Sequence, residues 1–119
     1  MRRLGALALL GVGLAHLEQY AVDHYSAVPT IGPLFLANFA GAMAIAFALP
    51  LTRGPLLPAA GIGLAASSLV ALYVSEHGGL FGFAETGFRP AIAISVAFEI
   101  AAVLALAPEL RPARRPLRR

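Results

Sequence analysis

Four long apolar runs, divided by short stretches of proline, glycine and charge, organise the chain. They extend from Leu4 to about Tyr25, Ile31 to Leu49, Leu56 to Ser75 and Pro90 to Ala107. Each is close to the ~20 apolar residues that a helix needs to cross a bilayer. The prolines respect the same division. Proline is tolerated in the first turn of a helix and breaks its interior. Pro33, Pro58 and Pro90 therefore read as helix starts, and Pro50 and Pro108 as stops. The stretch EHGGLFGFAETGFR (76–89) is glycine-rich and partly apolar, and reads as a short loop lying on or dipping into the membrane surface. The pattern predicts an all-α, integral membrane, antiparallel four-helix bundle over residues 1–107, followed by a basic tail over 108–119.

Composition removes the alternatives. Of 119 residues 59% are hydrophobic and only 13% charged, with a mean hydropathy of +0.79. Soluble domains carry about 25% charged residues, so the chain lacks the polar surface of a water-soluble globule. The absence of cysteine excludes a disulfide scaffold and thiol chemistry, including a mechanism of the vitamin K epoxide reductase type. The length allows one domain.

All nine basic residues are arginines, and their positions predict a topology. Arg2 and Arg3 precede the first span, Arg53 lies between the second and third, and Arg111, Arg114, Arg115, Arg118 and Arg119 follow the fourth. Only Arg89 falls on the opposite side. The positive-inside rule then places both termini in the cytoplasm of a multi-pass protein of the cell membrane. The loops at 26–30 and 76–89 face outward. A rival reading takes residues 1–15 as a signal peptide, with Gly13-Leu14-Ala15 as its cleavage site. Against it, the apolar helical pattern continues past Ala15 without a break. The tail RPARRPLRR reads as a topology anchor on anionic lipid, at about 1 kcal/mol per arginine. Because topology accounts for that charge, the expected partner is the lipid bilayer and not nucleic acid.

The informative residues are polar ones inside the spans. A charge at the bilayer centre costs about 2.5–3.5 kcal/mol on insertion scales, so such groups face the bundle interior and take partners. At 1.5 Å per residue, His16 and Glu99 both lie roughly 13 Å below the outer surface. Ser67 reaches a similar level and Asn38 a slightly shallower one. On the first helix His16, Gln19, Tyr20 and Asp23 are spaced i, i+3, i+4, i+7 and share a face. On the fourth, Ser95 and Glu99 are i, i+4. These positions predict an outward-facing polar pocket with His16 and Glu99 at its floor, Asp23 nearer its mouth and the 76–89 loop as its lid. Its ligand-binding residues are His16, Gln19, Tyr20, Asp23, Asn38, Ser95 and Glu99. Tyr20 and Tyr25 also suit the interfacial aromatic belt. The alternative is that the His16–Glu99 pair only fixes helix register.

Several chemistries follow from this set. His16 and Glu99 are candidate metal ligands, with His77 and Glu85 as weaker ones, but HExxH and the Glu-x-x-His pairs of di-iron bundles are absent. Haem is not expected, because His16 has no histidine partner at its depth. Histidine changes charge within the physiological range, so proton or ion coupling is a second option. A quinone is a third, with His16, Tyr20 or Asn38 donating to a carbonyl and Phe35, Phe39 and Phe98 lining the site. Metal ion and quinone are thus the candidate cofactors. No glycine-rich phosphate motif occurs: GVG (11–13) and GIG (61–63) lie inside helices and read as packing glycines. The residues leave open whether the chain is an enzyme. Transport would require a homo-oligomer or a larger complex. Ridges of small residues that let helices approach occur at Ala59, Gly63, Ser67 and Ala71, at Ala40, Ala44 and Ala48, and at Ala93, Ala97, Ala101 and Ala105. The last lies away from Glu99, toward lipid or a second copy.

His16 in the first helix, IGPLFLAN (31–38) opening the second, GLFGFAE (79–85) before the fourth, and Glu99 within it resemble a group of small four-span membrane proteins of high-GC bacteria. The resemblance covers nearly the whole chain and implies a fold and a topology, and no activity. In size and layout the chain also looks like the DoxX-type four-helix membrane proteins, from which no residue is carried over. The functional expectation is therefore a membrane pocket for a small ligand, ion or proton. A structural or accessory subunit and a quinone-linked redox accessory are the alternatives.

Overall fold

A computed structural model describes residues 1–22, 25–79 and 90–111. It contains helices α1 (Arg2–Val22), α2 (Ile31–Ala48), α3 (Leu56–His77) and α4 (Pro90–Leu106), and no strand among the described residues. Short 3₁₀ turns at Tyr25–Ala27, Leu49–Leu51 and Ala107–Leu110 follow α1, α2 and α4. Pro33, Pro58 and Pro90 lie in the first turns of α2, α3 and α4, and Pro50 and Pro108 lie in the 3₁₀ turns that end α2 and α4. The expected and observed ends differ by up to three residues: α1 stops at Val22 and α3 runs on to His77. Helix α1 is continuous through Ala15.

Each of the four helices, together with its 3₁₀ turn for α2 and α4, is long and apolar enough to cross a membrane. The surface agrees with that. Leu14, Phe47, Leu56, Val70 and Leu104 are more than half exposed, while His16, Gln19, Ser75, Ser95 and Glu99 are buried. A helix that is apolar on its outer face and polar within is placed in hydrocarbon at low cost and in water at high cost.

Helix α1 is the hub. Half of its apolar window is buried, against 17% for α2 and for α3. It packs mainly on α2 and α4, and α3 closes on α4 more than on α2. The two ends of the bundle differ. At one end Leu9, Leu49, Leu106, Ala46, Ala65 and Ala102 form a dry core. Gly5 of α1 and Gly61 of α3 make room for Leu106, since a methyl group at either would run into its side chain. Arg2 closes this end. Its Nε donates to the Leu49 carbonyl at 3.2 Å, and its Nη1 to the Gly54 carbonyl at 3.1 Å and to Glu109 Oε2 at 3.5 Å. The opposite end is built around polar groups and a cavity.

Two of the small-residue ridges, those of α2 and α3, need correction. Ala40 and Ala44 of α2 are exposed, whereas Ala42 and Ala46 are buried. On α3 the buried seam is Gly61, Ala65 and Ser75, and Ala59, Gly63 and Ser67 are exposed. On α4, Ala93, Ala97 and Ala101 are exposed, which agrees with a ridge turned away from the buried Glu99, and Ala105 is buried. Alanine is as compatible with lipid as with a helix contact, so its spacing alone does not choose a face.

Candidate intramembrane ligand cavity

The cavity has a volume of about 550 Å³, and all four helices contribute to its wall. That lies within the roughly 300–1,000 Å³ of small-ligand sites. Helix α1 supplies His16 and Gln19, α2 supplies Phe35 and Asn38, and α4 supplies Ser95 and Glu99. Helix α3 gives the longest stretch of wall, from Gly63 to Ser75.

His16 Nδ1 lies 2.8 Å from the Val12 carbonyl one turn back. A carbonyl only accepts, so Nδ1 carries the hydrogen and Nε2 of the neutral ring is left as an acceptor. Nε2 stands 3.8 Å from Glu99 Oε1, beyond direct hydrogen-bond length. The same carboxylate oxygen accepts from the Ser95 hydroxyl at 3.1 Å, one turn earlier on α4. Phe35 braces the imidazole edge to face, with centroids 5.0 Å apart. Gln19 Nε2 donates back to the Ala15 carbonyl at 3.2 Å.

Asn38 links α2 to α3. The Ser68 hydroxyl donates to the Leu64 carbonyl at 3.0 Å, so it can only accept from the amide. Asn38 Nδ2 is the donor in that contact, and its Oδ1 is buried with no hydrogen-bond partner among the described residues.

Five of the expected residues, His16, Gln19, Asn38, Ser95 and Glu99, line this one cavity. Tyr20 is half-buried and does not line it. Asp23 and Glu85 lie outside the described residues, as does the 80–89 part of the expected lid. His77 is exposed, stacks on Tyr73 with centroids 4.1 Å apart, and is not part of the wall. Among the described residues no group of three or more His, Asp or Glu side chains is assembled around a metal position. Phe35 is in the wall, but Phe39 and Phe98 are not. Phe98 instead covers Gly11 of α1. Tyr25, expected in the interfacial belt, is buried and stacks on Phe35 at 4.7 Å.

Ser68 and Ser75 escaped the depth argument, which singled out Ser67. Their signal was helical phase: Gly61, Ser68 and Ser75 recur every seven residues, the spacing of a helix seam.

No family profile, no curated protein and no solved structure matches this chain.

Proposed function

We propose that the chain is a multi-pass protein of the cytoplasmic membrane, with antiparallel spans and both termini in the cytoplasm, that binds a small ligand in the cavity between its helices. The observation that supports this is the unfinished polar floor. His16, Ser95 and Glu99 are buried at the base of a cavity of about 550 Å³, and the closest approach of imidazole to carboxylate is 3.8 Å. A pair that served packing alone would be expected to close to about 3 Å.

Native mass spectrometry of the protein in mild detergent tests the reading. The expected result is added mass on the folded protein that disappears in Glu99→Gln. A bare mass in both proteins, with normal folding, would defeat it. A reporter fused after Arg119 should be active only in its cytoplasmic format, and the opposite result would reverse the orientation.

A structural role is the second reading. The Asn38–Ser68 hydrogen bond favours it, since that bond joins two helices and no ligand is needed to form it.

A further inference from the structure

The polar groups of the cavity have a common bias. The ring N–H of His16 is used on Val12, an amide N–H of Gln19 on Ala15, and an amide N–H of Asn38 on Ser68. What is left without a hydrogen bond among the described residues is the acceptor side: Nε2 of His16, and Oδ1 of Asn38, which is buried. A buried acceptor without a hydrogen bond is costly, because it has given up water and gained no partner. A ligand that donates hydrogen bonds removes that cost. Among the described residues a ligand headed by a carbonyl finds the second amide hydrogens of Asn38 and Gln19, and an O–H of Glu99 when that carboxyl is protonated.

The rest of the wall says how such a ligand arrives. It is mainly apolar, with Leu34, Phe35, Leu64, Leu72 and Ile92 around the polar floor. Four wall residues are also exposed: Leu34 and Ala37 of α2, and Gly63 and Ser67 of α3. A Cβ added at Gly63 would meet no described residue within 4 Å. These four lie along the flank of the bundle between α2 and α3, the pair of consecutive helices that touch least. On the ligand-binding reading proposed above, on which this inference rests, that flank faces the hydrocarbon of the bilayer.

We infer that the cavity takes a bilayer-soluble molecule whose head group is a hydroxyl, admitted sideways between α2 and α3. The hydroxyl donates toward Nε2 of His16 or Oδ1 of Asn38, and the apolar remainder occupies the wall. This departs from the quinone-carbonyl geometry expected from sequence, because the donors needed for a carbonyl are turned to the protein itself.

Farnesol, farnesal and farnesyl methyl ether share a chain and differ in the head, so they serve as probes. The full protein in phosphatidylcholine nanodiscs is titrated with each, and occupancy is read by native mass spectrometry. Farnesol should bind about tenfold more tightly than the aldehyde or the ether, the effect of one unmet buried acceptor. Asn38→Leu should shrink that difference. Gly63→Phe, which adds bulk where a Cβ meets no described residue within 4 Å, should abolish binding of all three while the melting temperature is kept. Equal binding of the three probes would overturn the hydroxyl preference. Undiminished binding in Gly63→Phe would overturn the lateral route. If no probe binds, the inference falls, and the Glu99-dependent added mass in detergent decides separately whether a ligand site exists at all.

Discussion

Nε2 of His16 on α1 and Oε1 of Glu99 on α4 face each other at 3.8 Å across the buried floor of the cavity. Each is oriented by its own helix, His16 through the Val12 carbonyl and Glu99 through the Ser95 hydroxyl. The pair is thus held from behind, and the two groups depend little on each other for position.

This arrangement makes a quantitative prediction. A double-mutant cycle with His16→Leu and Glu99→Gln, unfolded by denaturant in detergent, should give a coupling of about 0.6 kcal/mol, typical of polar contacts between membrane helices. A coupling above about 2 kcal/mol would mean a closed, direct bond and would contradict the separation.

Asn38 and Ser68 should couple through stability alone. Ser68→Ala removes the acceptor for Asn38 Nδ2 and leaves a second orphaned polar atom beside Oδ1. It should destabilise by about 1–2 kcal/mol, and Asn38→Leu added to it should recover part of that loss. Additive losses in denaturant midpoints would rule out this account.

The dry end predicts a compensating pair. A methyl group at Gly5 collides with Leu106, which is fully buried. Gly5→Ala should lower stability by about 1–3 kcal/mol through overpacking. Leu106→Ala, harmful on its own, should be less harmful in the Gly5→Ala background. Thermal denaturation of the single and double variants measures this directly.

Thr30 gives a stabilising change. It sits at φ 68° and ψ −48°, where its flanking residues form a γ-turn through Ile31 N–H and the Pro29 carbonyl at 2.8 Å. That hand of γ-turn is strained for a β-branched residue. Thr30→Gly should raise stability by about 1 kcal/mol, visible as a higher melting temperature. An unchanged or lower value would show that the turn is relaxed.

Much of this was legible in the sequence. Proline marks a helix end by losing its N–H and fixing φ, an effect local to the chain, so the helix limits came out within three residues. His16 and Glu99 were legible because burying them is costly wherever they point, and Ser95 followed from its i, i+4 spacing to Glu99. Ser68 was not chosen over Ser67, because depth along a helix carries no information on rotation about it. Tyr25 shows a different limit. Its position three residues past α1 suits an interface, yet a 3₁₀ turn brings it back over Phe35, a contact set by tertiary packing.

Arg2 has a consequence in time as well as in space. Its side chain joins Leu49, Gly54 and Glu109, so its last contact spans 107 positions of the chain. Arg2 can meet the Leu49 and Gly54 carbonyls once α2 and the turn after it are made, but its bond to Glu109 waits until α4 has been translated. Until then this end of α1 is held by those two carbonyls alone. Completion of the fourth helix supplies the only charged partner of the three, and a truncation before residue 109 leaves the guanidinium with carbonyls and no counter-charge.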